Sequence, residues 1–442
     1  MAVWRIVVYL LLPYALGNLA WRALRYPAYW HRWPERFGFV KPLTGLRTIW
    51  VHAVSVGEVR SAAPLVAALV ERYPKHRVVV TTMTPTGSQQ VRDLLGERVS
   101  HCYVPYDLWD AVRRFLDRVR PEAAIIAETE FWPNIFAECG RRRIPLLLVN
   151  GRISQASLRG YLRVPKTTRA MLANADLLCA QTALDAQRLR NLGAPADLVH
   201  VTGNLKFDVE LPAALLDEAR ELRDRWGRNR PVWIAASTHP GEERKVLAAF
   251  AQLKLAFPKL LLVLVPRHPE RFRAVAKLCR RRGLAVALRS QTQETFAPAA
   301  EVLVGDTMGE LQRLYAAADV AFIGGSLVPH GGQNLLEACA VNVPVVFGPH
   351  MFHFEEISAM ALERGAARQV HDAAGLAAAV SLYLEQPDLR KAAGVAAHTL
   401  VTDNRGALAR TLRHVEDTLL AAGWAAPAAA PVDAVAATVS RS

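Results

Sequence analysis

The chain has 442 residues, too many for one ordinary hydrophobic core, and its 52% hydrophobic content predicts a well-packed α/β protein of two domains. A net charge of +14 predicts an acidic partner, which nucleic acid, an anionic membrane surface or phosphorylated substrates would each supply. The five cysteines are scattered and form no C-x-x-C pair, so they argue against a disulfide framework or a zinc site and indicate a reducing compartment.

The N-terminus reads as a membrane anchor. Residues 3–20 are apolar over nearly the length of a membrane span, although an arginine, a proline and an asparagine interrupt them. They lack the small-residue cleavage site of a signal peptide, so we predict an anchor over residues 1–20. Aromatic and basic residues then interleave over 21–37, as is typical of a segment at the lipid headgroups, and their positive charge keeps the following chain in the cytoplasm. The alternative is a buried amphipathic helix of a soluble domain.

From residue 48 onward, strand-like runs alternate with helical patterns. This alternation predicts two Rossmann-like domains in tandem, each a parallel sheet with helices on both faces. The predicted strands are Thr48–Val54, Arg77–Thr82, His101–Val104, Ala123–Ala127, Leu146–Asn150, Leu177–Ala180, His200–Thr202, Val232–Ala236, Leu260–Pro266, Ala285–Leu288, Val302–Gly305, Val320–Gly324, Val343–Phe347 and Ala367–Val370. The carboxyl ends of the two sheets are expected to face each other across a central cleft, where ligands of open α/β sheets bind.

The domain boundaries follow from a pause in this alternation. A polar, charge-rich stretch separates the two sets of strands, so we predict an N-terminal domain over residues 21–205, an inter-domain connection over 206–230 and a C-terminal domain over 231–420. Residues 421–442 are biased toward alanine and proline and are predicted to form a disordered tail.

Polar clusters follow several predicted strands of the N-terminal domain. Glu58 begins the helix after the first strand, where it is either a general base facing the cleft or a charge that complements the helix dipole. The run Glu128-Thr-Glu-Phe-Trp-Pro-Asn134 places two acids and a tryptophan directly after an apolar strand. The hydroxyl-rich loop 81–88 suits a phosphate or a sugar, but also ordinary helix capping. Lys206 is placed to meet an acidic substrate, although lone lysines are usually only solvated.

The C-terminal domain carries features suited to anions. Arg267 follows an apolar strand and is able to give paired hydrogen bonds to a phosphate or carboxylate. Two glycine pairs fill the turn before a helix predicted over Asn334–Ala340. The glycines let the backbone approach a ligand, and we expect the free N–H groups at the start of the helix to face a phosphate. Glu337, one turn inside that helix, either accepts hydrogen bonds from vicinal hydroxyls such as those of a ribose or is simply solvated. No metal-binding spacing, Walker loop or nucleophile elbow occurs.

Together these motifs resemble the 3-deoxy-D-manno-octulosonic acid (Kdo) transferases of lipid A assembly, in the family's order from about residue 20 to 410. The motifs that carry the resemblance are His-Ala-Val-Ser-Val-Gly-Glu (52–58), Thr-Thr-Met-Thr-Pro-Thr-Gly (81–87), Pro-Tyr-Asp (105–107), Glu-Thr-Glu-Phe-Trp-Pro-Asn (128–134), Gly-Asn-Leu-Lys-Phe-Asp (203–208), Val-Pro-Arg-His-Pro-Glu-Arg (265–271), Gly-Asp-Thr-Met-Gly-Glu-Leu (305–311) and the glycine-rich run 324–337.

The resemblance implies a GT-B enzyme that transfers Kdo from CMP-Kdo with inversion, without metal or cofactor. Its acceptor would be the tetraacylated, bis-phosphorylated lipid A precursor at the cytoplasmic face of the inner membrane, in lipopolysaccharide assembly. An anionic membrane surface, and no nucleic acid, would then account for the basic charge. By motif match, Glu58 is the general base, and Glu128 and Lys206 stabilise the transition state. The residues matched to the CMP site are Pro266, Arg267, Met308, Gly309, Glu310, Asn334, Leu335, Leu336 and Glu337.

Two other classes of protein compete with this interpretation. A lipid-linked hexosaminyltransferase or a UDP-sugar 2-epimerase would bind uridine, and the clusters around Glu58 and Glu128 count against it. A non-catalytic lipid A adapter would have lost the base or the nucleotide residues, whereas Glu58, Arg267 and Glu337 are all present. One departure from the family pattern is Gln333, which stands where many members carry histidine and leaves the detail of the donor site open.

Overall fold

The computed structural model describes residues 2–209, 211–292 and 296–428, which form two α/β units. The first unit contains the described residues up to Asp208 together with those from Arg405 onward, and the second contains Val209–Asn404.

The first unit has a seven-stranded, wholly parallel sheet with the strand order β3-β2-β1-β4-β5-β6-β7. Its strands are β1 (Arg47–His52), β2 (His76–Thr82), β3 (Ser100–Tyr103), β4 (Pro121–Ala127), β5 (Leu146–Gly151), β6 (Leu177–Ala180) and β7 (Val199–Val201). Its helices are α1 (Ala2–Arg25), α2 (Val56–Arg72), α3 (Pro85–Leu95), α4 (Trp109–Val119), α5 (Pro133–Arg142), α6 (Gln155–Leu162), α7 (Pro165–Leu172), α8 (Ala183–Asn191) and, after the second unit, α17 (Ala407–Ala421).

The second unit also has seven parallel strands, in the order β10-β11-β9-β8-β12-β13-β14. The strands are β8 (Val232–Thr238), β9 (Leu261–Pro266), β10 (Val286–Leu288), β11 (Val302–Val304), β12 (Val320–Ile323), β13 (Val345–Phe347) and β14 (Ala367–Gln369). The helices are α9 (Leu215–Trp226), α10 (Glu242–Ala256), α11 (Phe272–Arg281), α12 (Leu311–Ala316), α13 (Leu336–Ala340), α14 (Glu355–Glu363), α15 (Ala373–Glu385) and α16 (Pro387–Asn404).

All fourteen predicted strands are present, with ends that differ by at most a few residues. They were recognisable because helices cover both faces of a parallel sheet, so its central strands become continuous apolar runs. In β1, for example, Ile49 and Val51 join the core on one face, while Trp50 joins the core on the other.

The last helix, α17, belongs to the first unit and not to the C-terminal domain in which we predicted it. We predicted a C-terminal domain that continues to residue 420, but α17 packs on the first sheet, where Leu408 and Leu412 enter the core. The Asp208 carboxylate receives the backbone N–H groups of Gly406 (2.6 Å) and Leu408 (2.5 Å), which fixes the start of this helix. The amphipathic pattern of α17 predicts a helix with one buried face, but it carries no information about which sheet that face covers.

The predicted disordered tail is wrong in its first part. Trp424 stacks on His76, with 4.5 Å between ring centroids, and the N–H of Ala428 donates to the carbonyl of Arg72 at 2.9 Å. Residues 429–442 of that predicted tail lie outside the described part of the chain.

The N-terminal helix α1 extends beyond the predicted anchor, to Arg25. Its segment Trp4–Leu24 is long and apolar enough to cross a membrane by length and composition, with a mean hydropathy of 1.3. The same helix packs on the rest of the first unit, where the indole N–H of Trp4 donates to Asp107 Oδ2 at 3.0 Å. On its other face Ile6, Leu10 and Tyr14 are exposed.

Each sheet has one place where the strand order reverses direction. In the first unit this switch lies between β1 and β4, and in the second it lies between β8 and β12. Ligands of open α/β sheets bind outside the carboxyl ends of the strands at such a switch. We therefore expect functional residues in the loops after β1 and β4 and in the loops after β8 and β12.

Candidate active site

In the first unit, Glu58 lies in the loop-to-helix turn after β1. The Ser55 side chain caps α2 by accepting the N–H of Glu58 at 3.3 Å, and its hydroxyl donates to Glu58 Oε1 at 2.7 Å. Glu58 Oε2 accepts the backbone N–H of Val54 at 2.7 Å. This is close to a capping box, in which a serine and a glutamate three residues later satisfy the first N–H groups of a helix. Glu58 therefore does serve the helix start, one of the two alternatives left open by the sequence.

The surroundings of Glu58 also give it the property of a base. Burial raises its pKa to about 8, and the negative charges of Glu128 and Glu130 add to the effect. Low-dielectric surroundings and nearby carboxylates both disfavour the ionised form. A carboxylate with such a pKa binds a proton far more readily than an ordinary glutamate, so Glu58 combines capping with a basicity suited to proton transfer near neutral pH.

Glu128 follows β4 in a left-handed backbone conformation, with φ at +57°, although it is not glycine. Its backbone N–H donates to the carbonyl of Val149 at 2.9 Å, which holds this unfavourable geometry in place. Glu128 Oε1 is buried and lies 3.8 Å from Lys206 Nζ, too far for a hydrogen bond but close enough for a strong ionic attraction. The structure thus brings Glu128 and Lys206 together.

The position of Lys206 depends on polar residues at the ends of β5 and β6. Lys206 lies in a short 3-10 turn whose start is capped by Asn204, which accepts the N–H of Lys206 at 3.0 Å. Asn150 accepts the neighbouring N–H of Leu205 at 3.0 Å, and Gln181 is hydrogen-bonded to both asparagines. We did not single out Asn150 and Gln181 from the sequence, although a polar residue that ends a buried strand is a usable signal.

Two further side chains of the sequence motifs, Glu130 and His52, are linked to this site through Trp132. Glu130 accepts the indole N–H of Trp132 at 2.7 Å, and burial raises its pKa. The edge of the Trp132 ring system meets His52, with 5.9 Å between ring centroids. His52 is fully buried and bonded to Thr81 Oγ1 at 2.9 Å, and burial lowers its pKa to about 4, so it is neutral. Glu130 is therefore the only one of these two that adds charge beside Glu58.

One residue of the hydroxyl-rich loop after β2 starts α3. Thr84 Oγ1 accepts the N–H of Gly87 at 3.0 Å, which is ordinary N-capping. Thr81 instead bonds His52, and Thr82 bonds His101, so the capping alternative explains Thr84 alone.

In the second unit, the glycine-rich turn after β12 is already occupied by a carboxylate of the protein itself. Glu242, at the start of α10, accepts the backbone N–H groups of Gly325 (2.7 Å), Ser326 (3.1 Å) and Leu327 (2.9 Å). It also accepts the N–H of His239 at 3.1 Å. The first glycine pair of the turn therefore offers no free N–H group of Gly325 to a phosphate, because Glu242 is bound there.

The helix after this turn is shorter than predicted. It begins at Leu336 rather than Asn334 and has five residues, so its dipole contributes little. The Asn334 side chain accepts the N–H of Leu336 at 3.1 Å and donates to Glu337 Oε1 at 3.0 Å. Leu335 and Leu336 are fully buried, so neither residue is exposed to a ligand at this turn.

The other residues matched to a nucleotide lie at the carboxyl ends of β9 and β11. Pro266 is buried, while Arg267 is half-exposed, and no carboxylate in the described part of the chain pairs with its guanidinium. Met308 is exposed, and Gly309 has φ at +76°, which favours glycine. Glu310 accepts from Arg289 (2.8 Å) and Arg313 (2.7 Å), so its carboxylate stabilises the turn itself.

Three histidines meet at the same edge of the second sheet. The His239 ring stacks on His330, with 4.3 Å between centroids, and meets His268 at a right angle, with 5.5 Å between centroids. Burial lowers the pKa of His239 to about 4, and the neighbouring imidazoles and Arg267 add to the effect. Gln333, the departure noted in the sequence, has its Nε2 3.1 Å from His239 Nε2. It thus stands beside an imidazole that is neutral at physiological pH.

No group of three or more His, Cys, Asp or Glu side chains within residues 2–209, 211–292 and 296–428 is arranged to hold a metal ion.

Glu58→Gln is expected to stabilise the first unit at alkaline pH. The pKa of Glu58 is about 8 when folded and near 4.5 when unfolded, so between these values the folded state holds a proton that the unfolded state has released. Stability therefore falls as the pH rises through this window, by on the order of 3 kcal/mol, and glutamine removes that loss. Urea unfolding at pH 5 and pH 8.5 measures it. The exposed Glu97→Gln is the control, and an equal effect of Glu58→Gln at both pH values would contradict the raised pKa.

Comparisons with known proteins define the class of protein. A family model described as 3-deoxy-D-manno-octulosonic-acid transferase matches residues 31–209, and one described as glycosyl transferases group 1 matches residues 244–399. The fold is similar to that of a UDP-GlcNAc 2-epimerase from Neisseria meningitidis, with a TM-score of 0.52 over 85% of this chain and 100% of that one. At 14% identity this similarity concerns the fold alone. The chain is a glycosyltransferase with the GT-B fold, as predicted.

The full-length relatives define the family. The chain is 39% identical to the 3-deoxy-D-manno-octulosonic acid transferase of Haemophilus influenzae, over 90% of this chain and 94% of the relative. It is 40% identical to the enzyme of the same name from Bordetella pertussis, over 93% and 99% of the two chains. The chain belongs to the Kdo transferase family, and the resemblance found in the motifs is confirmed.

Proposed function

We propose that this enzyme transfers Kdo from CMP-Kdo to a hydroxyl of the tetraacylated lipid A precursor, with inversion and without a metal ion. The observation that carries the proposal is the buried, basic Glu58 beside the Glu128–Lys206 pair at the switch point of the first sheet. A sugar hydroxyl is a poor nucleophile, so its attack requires a base of this kind.

The proposed reaction is a single displacement. The acceptor oxygen forms a bond to the anomeric carbon of Kdo, its proton passes to Glu58, and the bond from that carbon to the cytidylate phosphate breaks. One displacement inverts the configuration at the carbon. Lys206 would offset the carboxylate of Kdo, and Glu128 would hold the Lys206 ammonium group in position from 3.8 Å.

On the donor side, the leaving group is cytidylate, a phosphate that departs as an anion. Fixed positive charge stabilises such a departure, and Arg267 offers a guanidinium that is not committed to a carboxylate within the described residues. We propose that Arg267 receives the phosphate, while the backbone of Met308 and Gly309 and the side chains of Asn334 and Glu337 bind the cytidine. Glu310 then acts through the turn that it stabilises.

The proposal is tested by incubating the purified enzyme with CMP-Kdo and the lipid A precursor, once with and once without EDTA, followed by mass spectrometry of the lipid. Lipid products heavier by one or more Kdo units support it and count the transfers. The absence of product from folded enzyme would refute this choice of acceptor and donor. Product that disappears only with EDTA would refute metal independence alone.

Arg267→Ala is expected to raise the KM for CMP-Kdo by about 10- to 100-fold, because a charge-assisted hydrogen bond contributes about 1.5–3 kcal/mol. Steady-state kinetics at saturating acceptor measure the effect. Arg273, exposed on α11, gives the matched control Arg273→Ala, which removes the same charge elsewhere on the unit. Equal KM values for Arg267→Ala and the control would place the phosphate away from Arg267.

We further propose that α1 attaches the enzyme to the inner membrane from the cytoplasmic side. The exposed apolar face of α1 supports this, as do the basic residues at its end and after it, such as Arg22 and Arg32. The double variant Ile6→Arg with Leu10→Arg is expected to move most of the protein from the membrane to the soluble fraction at high salt. Glu97→Arg, exposed elsewhere on the unit, is the control. Unchanged membrane association of the double variant would contradict this role of α1.

A further inference from the structure

An apolar groove runs between α1 and the body of the first unit. It has a volume of about 230 Å³ and is lined from three sides. The helix contributes the face that begins at Trp4 and continues to Ala15, the loop after β3 contributes residues 106–108, and the loop after β4 contributes residues 131–133.

The carboxylate and the two indole N–H groups along the groove already have partners within the protein. Asp107 is the only charged residue of the lining. Its carboxylate accepts the indole N–H of Trp4 and the backbone N–H groups of Asn134 and Ile135, each at 3.0 Å. A polar ligand would therefore find few groups for hydrogen bonds in the groove. An alkyl chain has no hydrogen bonds to lose, and its removal from water is favourable.

One side chain links the groove to the candidate active site. Trp132 lines the groove, and its indole N–H donates to Glu130, one of the carboxylates that raise the pKa of Glu58. A ligand whose apolar part lies along Trp132 thus has its polar part near the carboxylates. A glycolipid has this arrangement, because its apolar acyl chains are attached to a polar sugar headgroup.

The two faces of α1 identify the source of such a chain. Along the inner face Trp4, Val8 and Ala15 line the groove, and on the outer face Ile6 and Leu10 remain 63% and 74% exposed. A helix with two apolar faces, of which only one packs on the protein, is expected to contact lipid with its second face. The groove therefore lies on the path from a bilayer to Glu58.

We propose that this groove binds one acyl chain of the lipid acceptor and thereby positions the acceptor sugar for proton removal by Glu58. The inference rests on the proposed function, because the acceptor must be an acylated sugar. The groove would make the enzyme prefer long-chain acceptors over the same sugar without chains.

The test compares two substitutions on α1 with two acceptors. Ala15→Trp fills the groove, and Leu10→Trp adds the same ring to the outer face. Ala15→Trp is expected to raise the apparent KM for the tetraacylated acceptor by about tenfold, as expected for loss of roughly two buried methylene groups. With the chemically deacylated, water-soluble acceptor the two variants and the wild type are expected to agree within about twofold.

The outcomes separate this inference from the function on which it rests. No transfer by the wild type to either acceptor refutes the function. Transfer by Ala15→Trp that equals the wild type with the tetraacylated acceptor refutes the groove. An equal loss with both acceptors also refutes it, because the groove would then be only structural. Rates for Leu10→Trp that fall with the acylated acceptor alone would assign the chain to the outer face.

Photo-crosslinking identifies the occupant directly. A tetraacylated acceptor with a diazirine on one chain is expected to label residues 4–15 and 131–133, and mass spectrometry of the peptides shows the site. Unlabelled acceptor should suppress the labelling by at least tenfold. Labelling by a diazirine phospholipid that excess acceptor fails to suppress would show that bulk lipid fills the groove, and would overturn the proposal.

Discussion

Glu58→Gln is expected to lower kcat for Kdo transfer by about 10²–10⁴-fold, the usual contribution of a positioned general base. The amide has nearly the shape of the carboxyl group and retains an oxygen for the N–H of Val54, but it cannot take up a proton. In the wild type, the rate should rise with pH, reach half of its maximum near pH 8 and level off above about pH 9, because the pKa of Glu58 lies at about 8. Initial rates between about pH 5.5 and 10 measure both effects.

Two variants separate catalysis from the helix cap. Ser55→Ala removes the hydroxyl that donates to Glu58 and accepts from the start of α2, but it keeps the carboxylate. It is expected to cost about 1 kcal/mol of stability and to change kcat only a few-fold. Glu97→Gln is the neutral control. If Glu58→Gln keeps kcat within threefold of the wild type, the base lies elsewhere, and Glu130 becomes the first candidate, since it is the neighbouring carboxylate with a raised pKa.

The fold was predictable from the sequence because each strand, and the turn that follows it, has a local sequence pattern. A buried parallel strand is an apolar run of about six residues, and a polar or glycine-rich turn must follow it before the next helix. That regularity located β4 and β9 and, with them, Glu128 and Arg267 at strand ends. The capping of α2 by Ser55 and Glu58 is also local, so the spacing of those two residues shows it.

What the sequence did not reveal depends on partners far away in the chain. The N–H groups of Gly325 and Ser326 bind a carboxylate that no local pattern reveals, because Glu242 lies 83 residues before Gly325. The raised pKa of Glu58 likewise results from its burial by the fold, to which Glu128 and Glu130 on a neighbouring loop add. Spacing in a sequence describes which groups a loop offers, but not which of them the fold has already used.

Glu242→Ala is expected to destabilise the second unit by about 4 kcal/mol. The carboxylate is fully buried and receives four backbone N–H groups, including those of Gly325 and His239. Removing it leaves these donors without an acceptor, and each buried donor left unsatisfied costs about 1–3 kcal/mol before the loop relaxes. Calorimetry should show the transition of this unit about 10 °C lower. The exposed Glu270→Ala is expected to change the free energy of unfolding by less than about 0.5 kcal/mol.

An anion should partly replace the missing carboxylate. In Glu242→Ala the N–H groups of Gly325, Ser326 and Leu327 converge on an empty space, so sulfate is expected to raise the melting temperature of the variant by several degrees more than that of the wild type. Sulfate stabilises any folded protein to some extent, so the rise in melting temperature that it causes in the wild type is subtracted from the rise in the variant. A drop below about 2 °C for Glu242→Ala, with no extra effect of sulfate, would show that the turn does not depend on this carboxylate. A large drop that sulfate reverses would show that the protein's own glutamate fills a site with the geometry of an anion-binding loop.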